Sequence, residues 1–60
     1  MQLGRRIEVY LRRSNTAPTR FGREVVNDPR FVFDLRMGRE VGEKLADRVH
    51  AWLDRQEHAK

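Results

Sequence analysis

The tripeptide Asn27-Asp28-Pro29 divides the middle of this chain into two short helical segments. Asparagine tolerates a left-handed backbone, aspartate caps helix N-termini, and proline is favoured at the first helical position. The tripeptide therefore predicts that one helix ends near Asn27 and that the next begins at Pro29. Gly38 suits the left-handed residue that follows a helix, so this next helix is expected to span residues 29–37.

Apolar residues recur at helical spacing on both sides of this break. Near the N-terminus they predict an amphipathic helix of about three turns, which ends at the turn-forming residues 14–16. From about Glu43 they predict a last, longer helix, preceded by a linker and frayed over residues 56–60. The positions that define these two helices are Leu3, Ile7, Tyr10 and Leu11 in the first, and Leu45, Ala46, Val49, Trp52 and Leu53 in the last.

The second helix is expected to have Thr16 as its N-cap and Pro18 in its first turn. Gly22 lies inside this helix, where glycine costs about 1 kcal/mol relative to alanine, and its presence indicates the close approach of another helix. No segment alternates with the period of a strand. The sequence predicts an all-α fold, a compact bundle of about four helices, with a single domain over residues 1–57 and a frayed tail at 58–60.

Positive charge is distributed unevenly along the chain. The net charge is +4, and residues 1–40 account for all of it, with nine arginines against five acidic residues. The planar guanidinium group suits phosphate oxygens and guanine edges, which indicates nucleic acid as a partner; the alternative is a solvated basic surface. No apolar run is long enough for a membrane span, and charges interrupt the N-terminal apolar positions, so a cytoplasmic location is expected.

Residues for catalysis or metal binding are sparse. The chain has no cysteine, its only serine, Ser14, lies in a turn signal, and His50 and His58 are separated by eight positions with no third ligand nearby. There is no glycine-rich phosphate loop, and a chain this short leaves little room for a pocket. We therefore expect no enzymatic activity, no metal or other cofactor, and no small-molecule substrate.

Two short helices joined by a tight turn are typical of a helix-turn-helix. Such a unit needs a small residue in its first helix, here Gly22, so that the second helix can cross closely. It also needs aliphatic residues about ten and thirteen positions later, here Val32 and Leu35. Phe21 and Val25 supply the flanking apolar positions of the first helix.

Residues 16–39 resemble the helix-turn-helix of the Xre/Cro/C1-type regulators of phages and bacteria. Gly38-Arg39 is similar to the glycine–basic pair that follows the recognition helix in that family. The family usually has a glycine at the left-handed position of the turn, whereas this chain has Val26, which would be strained with a positive φ. We therefore expect Asn27 to adopt the left-handed conformation, with the turn shifted by one residue.

The resemblance implies a small bacterial or phage-encoded, nucleoid-associated regulator, such as a repressor. It would bind double-stranded DNA sequence-specifically, as a homodimer on a palindromic site, with helix 29–37 in the major groove. The residues implied to read bases are Pro29, Arg30, Phe33 and Asp34. Those implied to bind phosphates are Thr16, Thr19, Arg20, Arg36 and Arg39. The arginines of the first helix, which are Arg5, Arg6, Arg12 and Arg13, are expected on its outer face, away from DNA.

Several alternatives remain open from the sequence. Arg30 could pair with Asp34 at i,i+4 spacing, with or without contacting a base. Phe31 and Phe33 flank Val32, so one of them should be partly exposed; Phe33 is the expected one, and it could contact thymine methyl groups or a neighbouring protein surface. The whole domain could instead be a protein-interaction module, such as an antitoxin, antirepressor or adaptor, or an architectural protein of the nucleoid that binds DNA without sequence preference.

Overall fold

The computed structural model describes residues 2–58, and in this range it contains four α-helices and no strand. The helices are α1 (Leu3–Ser14), α2 (Pro18–Val26), α3 (Phe31–Arg36) and α4 (Glu43–His58). They form a compact bundle of 32 × 23 × 21 Å with a radius of gyration of 10.7 Å. None of the helices described is long and apolar enough to cross a membrane. The predicted all-α fold class is confirmed.

The core lies where the apolar faces of the four helices meet. α1 packs against α3 and α4, while α2 packs against α3 and α4. Tyr10, Phe21 and Trp52 form an aromatic cluster with ring centroids 5.3–5.8 Å apart, in tilted and edge-on arrangements that aromatic pairs favour. The buried apolar residues of the core are Ile7, Leu11, Phe21, Val25, Phe31, Val32, Val49 and Leu53.

Two asparagines end the first two helices in the left-handed conformation. Asn15 has a φ of 55° and donates its backbone N–H to the carbonyl of Leu11, and Asn27 has a φ of 58° and donates to the carbonyl of Gly22. These bonds satisfy carbonyls that a helix end leaves without a partner. The prediction that Asn27 takes the left-handed conformation is confirmed, because Val26 remains the last residue of α2.

The third helix is shorter than the sequence predicts. It begins at Phe31, not Pro29, and ends at Arg36, with Met37 as its C-cap and Gly38 at a φ of +99° just beyond. After the left-handed Asn27, the chain uses residues 28–30 to turn back over α2, and Arg30 has a non-helical φ of −95° and ψ of 1°. The expectation that Pro29 starts the helix is therefore wrong by two residues.

The second helix begins one residue later than predicted. Pro18 restricts the preceding residue to extended conformations, and Ala17, at φ −70° and ψ 143°, consequently occupies the N-cap position predicted for Thr16. The expectation that Thr16 caps this helix is wrong. At the other end of the chain α4 continues to His58, the first residue of the expected tail, while Ala59 and Lys60 of that tail lie outside the described residues.

Candidate nucleic-acid interface

The junction between α2 and α3 is built from backbone atoms around Gly22. The Gly22 carbonyl accepts hydrogen bonds from the N–H groups of Asn27 and Asp28, the latter at 3.0 Å. A Cβ atom on residue 22 would overlap the Asp28 carbonyl oxygen and would lie 3.2 Å from the Cβ of Phe31. The close approach that the sequence indicates at Gly22 is therefore made by the turn and by the first residue of α3.

Asp28 organises the turn itself. Its carbonyl accepts the N–H of Phe31 at 3.1 Å, and its Oδ1 accepts the N–H of Arg30 at 3.0 Å. This aspartate turn satisfies backbone donors just before α3 and holds the start of the helix against α2. Oδ2 of the same side chain faces Arg39 Nη1 at 3.5 Å.

The apolar residues of the predicted helix-turn-helix point towards the core. Four of them are buried, and Leu35 is partly buried and packs against the same cluster. The four are Phe21, Gly22, Val25 and Val32. Of the two phenylalanines beside Val32, Phe31 is buried and Phe33 is 42% exposed, which confirms that Phe33 is the exposed one.

The implied base-reading residues lie around the outer side of α3. Pro29 and Arg30 are exposed, Phe33 is partly exposed, and Asp34 is half-buried. Within residues 2–58 the side chain of Arg30 forms no ion pair. The alternative ion pair between Arg30 and Asp34 is not formed, because Asp34 Oδ2 instead accepts a hydrogen bond from Arg39 Nη1 at 3.0 Å.

Most of the implied phosphate-binding side chains already have a polar partner within the bundle. Thr19 is exposed in the first turn of α2, and the Thr16 hydroxyl lies 2.7 Å from Ser14 Oγ. Arg20 Nε donates to Glu24 Oε1 at 3.0 Å in an i,i+4 ion pair with both side chains largely exposed. Arg39 faces the carboxylates of two aspartates and Arg36 pairs with Glu8, so all three of the predicted phosphate-binding arginines have acidic partners.

Arg36 joins α3 to α1. Its Nε and Nη2 donate to the two carboxylate oxygens of Glu8 at 2.7 and 2.9 Å, and its guanidinium carbon lies 5.6 Å from the ring centroid of Phe33. The hydrogen bonds from Arg36 hold the pKa of Glu8 below its ordinary value of 4.5, helped by the charges of Arg36 and Arg12 and opposed by partial burial. The pair thus places a bidentate, ionised contact beside the exposed ring of α3.

Arg6 has a role that the sequence did not reveal. Its side chain, 15% exposed, faces α4, where Nη1 donates to His50 Nδ1 at 2.9 Å and Nη2 forms ion pairs with Asp54 and Glu57. The Arg6 hydrogen bond lowers the pKa of Asp54 below its ordinary value of 3.8. The expectation that Arg6 lies on the outer face of the helix is therefore wrong. The sequence does contain a signal for this position. Arg6 follows the apolar Leu3 by three residues, which places Arg6 at the edge of the apolar face of α1.

The remaining chemistry of the surface is simple. In the part of the chain that is described, no group of three or more histidine, cysteine, aspartate or glutamate side chains could hold a metal ion.

Comparisons with protein-family models, curated proteins and solved structures give no match to this chain. The candidate interface is thus a short helix that is joined rigidly to α2, exposes Phe33 on its surface and Arg30 at its N-cap, and is bordered by further arginines.

Proposed function

We propose that this protein is a small cytoplasmic regulator that binds double-stranded DNA sequence-specifically, with α2 and α3 as its helix-turn-helix. The observation that carries the proposal is the state of Arg30, which is exposed beside Phe33 and has no ion pair within residues 2–58. An arginine at this place on a helix inserted in the major groove can bond guanine O6 and N7 together, which is worth about 1–3 kcal/mol of discrimination.

The Gly22 junction supports the proposal because it makes the position of α3 well defined. Backbone hydrogen bonds and steric contact hold the turn, so little conformational freedom remains to be lost on binding. A reading element also needs an apolar contact to distinguish thymine, and the exposed ring of Phe33 can contact its methyl group. Neither contact requires a cofactor or a catalytic step.

The paired arginines are compatible with phosphate binding. An exposed ion pair contributes about 0–1 kcal/mol, so a phosphate can replace the carboxylate of Glu24 beside Arg20 at small cost. Release of counterions from DNA then favours the exchange at low salt. Arg39 and Thr19 flank the two ends of the helix-turn-helix, where contacts to the DNA backbone would set the orientation of α3. Two copies on a palindromic site would double these contacts.

The decisive experiment is a selection from randomised duplexes, followed by affinity measurements on the enriched sequence. We expect a motif that contains a guanine, with two symmetric halves if the protein binds as a dimer. Arg30→Ala should relax the preference at one base pair and weaken binding to the selected site about 5- to 150-fold. Arg55→Ala, which removes the same charge from the exposed end of α4, is the matched control and should leave the motif unchanged.

Two results would count against the proposal. If no motif is enriched, binding is not sequence-specific, and an architectural role becomes the better explanation wherever duplex binding is still salt-dependent. If Arg30→Ala selects the same motif as the unmodified protein, Arg30 does not read the sequence.

A second candidate function, a protein-interaction module, is favoured by two exposed apolar side chains, Phe33 on α3 and Met37 at its C-cap. Met37 is 86% exposed and lies one turn beyond Phe33, so the two side chains offer a small apolar surface to a partner protein. In that case duplex selection yields nothing, and Phe33→Ser and Met37→Ser weaken binding of the protein partner to similar extents. For DNA binding through α3, the Phe33 substitution should alter base preference and the Arg30 substitution should do so more strongly.

A further inference from the structure

The bundle divides the four arginines of α1 into two groups. Arg6 turns towards α4 and is held there by Asp54 and Glu57. Arg13 is seven residues further on, on the same side of the helix, and lines a surface hollow together with Arg6 and Glu57. These two arginines therefore belong to the side of α1 that meets α4.

The other two arginines flank Glu8 on the exposed surface of α1, at i−3 and i+4 from it. Arg5 and Arg12 are also seven residues apart, both are exposed, and neither forms an ion pair with any residue that the structure describes. Glu8 lies between them along the helix, and its carboxylate is fully engaged by Arg36. We call the set Arg5, Glu8, Arg12 and Arg36 the basic ridge. It contains three guanidinium groups and one carboxylate.

The basic ridge adjoins the face of α3 that is proposed to enter the groove. Arg36 follows Phe33 by three residues in α3, and its guanidinium lies beside the exposed ring of that phenylalanine. The same guanidinium contacts Glu8 on α1, so exposed cationic groups extend from the edge of α3 onto α1. Arg36 hydrogen-bonds both carboxylate oxygens of Glu8, and Arg12 acts on Glu8 only through its charge, so the hydrogen-bond donors of Arg5 and Arg12 remain available to an anionic ligand.

We propose that Arg5 and Arg12 bind phosphates of the DNA backbone beside the groove that α3 occupies, so that the interface extends from the helix-turn-helix onto α1. This inference rests on the proposed function. The two arginines are separated by about 10 Å along the helix axis, which is close to the rise of three base pairs along one strand. From the sequence both residues were expected away from DNA, and it is the Glu8–Arg36 contact that joins their neighbour Glu8 to α3.

The test is the salt dependence of binding to a duplex of random sequence, measured by fluorescence anisotropy between roughly 50 and 200 mM salt, where phosphate contacts strongly affect affinity. Arg5→Ala and Arg12→Ala should each flatten the slope of log affinity against log salt by about 0.9, and the double variant by about 1.8. Arg13→Ala is the matched control, because it removes the same charge from the same helix on the side that meets α4. It should leave the slope unchanged.

Arg12→Lys adds a second check, since it keeps the positive charge and should retain the slope of the unmodified protein. Circular dichroism establishes that each variant folds. If the protein binds duplex but Arg5→Ala and Arg12→Ala keep its slope, the inference is overturned while the proposed function stands. A flattening by Arg13→Ala equal to that of Arg12→Ala also overturns it, because the effect would then reflect net charge alone. Absence of salt-dependent duplex binding by the unmodified protein overturns both.

Discussion

The α2–α3 junction and the α1–α4 contact hold their helices together in different ways. At the junction, backbone atoms meet at Gly22, and the bonds from Asn27 and Asp28 close the turn. Between α1 and α4 the contact is made by side chains, with Tyr10 against Trp52 and Arg6 among polar groups of α4. Side chains can adjust to a substitution by changing rotamer, whereas overlapping backbone atoms can be relieved only by moving a helix.

This difference suggests that the two regions have different roles. The junction sets the position of the proposed reading helix, so a substitution there should alter both the stability of the protein and its binding to DNA. The α1–α4 contact maintains the bundle, so a substitution there should lower stability according to the hydrogen bonds and packing that it removes, with little effect on the geometry of α3. Substitutions in the two regions can test this contrast, and the largest effect is expected at the junction.

Gly22→Ala should be the most damaging small substitution in the chain. We expect it to lower the free energy of unfolding by about 1–3 kcal/mol, because the overlap with the Asp28 carbonyl outweighs the better helix propensity of alanine. Gly4→Ala is the control: apart from the adjacent residues and backbone of its own helix, no atom of residues 2–58 lies within 4 Å of the added methyl group, and stability should rise by about 0.5–1 kcal/mol. Urea unfolding followed by circular dichroism measures both. Equal changes in the two variants would show that the junction is not sterically tight.

Arg6→Met should be the next largest effect. It removes the charged hydrogen bonds to α4 but leaves Asp54 exposed to water, so we expect a loss of about 1–2 kcal/mol in the free energy of unfolding. Arg5→Met, an exposed position without an ion pair in residues 2–58, should change stability by less than about 0.5 kcal/mol. Similar losses in these two variants would contradict the role of Arg6 between α1 and α4.

Acid should weaken the α1–α3 and α1–α4 contacts through their carboxylates. The pKa values of Glu8 and Asp54 are lowered in the folded protein by hydrogen bonds from Arg36 and Arg6. Their contribution to stability is therefore fully present above their ordinary pKa values of 4.5 and 3.8, and it is lost as the pH falls through the folded values. Urea unfolding at a series of pH values should show this loss.

The part of this pH-dependent stability that comes from the α1–α3 contact can be isolated with Glu8→Gln. This variant should have a shallower fall of unfolding free energy below pH 4.5, the ordinary pKa of glutamate. Arg36→Gln should have the same consequence, and the double variant should add little to either, since the two changes remove one interaction. Additive effects would indicate that the two side chains act independently in solution.

The smallest effect is expected at the helix ends. Asn15→Gly and Asn27→Gly keep a residue that accepts the left-handed conformation, so each should change the free energy of unfolding by less than about 0.5 kcal/mol. A much larger loss at Asn27 than at Asn15 would mean that the asparagine side chain itself stabilises the α2–α3 junction. The same unfolding experiment distinguishes the two outcomes.

The parts of the fold that could be predicted from the sequence are those set by local rules. Helical periodicity located α1 and α4, and the strain that Val26 would suffer identified Asn27 as the left-handed residue. The start of α3 could not be placed, because proline fits equally well in a first helical turn and in the preceding turn. The start of α3 is set by the close contact that the turn and Phe31 make with Gly22.

Side-chain partners were less predictable than helices. The Arg20–Glu24 pair follows from i,i+4 spacing, but Arg36 with Glu8 and Arg6 with Asp54 join residues far apart in the sequence. Local spacing favoured Asp34 as the partner of Arg30, whereas the turn after α3 brings Arg39 to that carboxylate instead. Within residues 2–58 Arg30 therefore forms no ion pair, an outcome that local spacing does not predict.

The brevity of α3 limits how much genetic information one copy of this protein could extract. Six residues span about 9 Å, a length comparable to three base pairs. A three-letter word recurs by chance about once in 64 positions, while a genome offers roughly 10⁶–10⁹ competing sites. If the protein reads DNA, useful selectivity must be combinatorial. It would arise from several copies, or from neighbouring factors, that each recognise a few base pairs of a longer composite site.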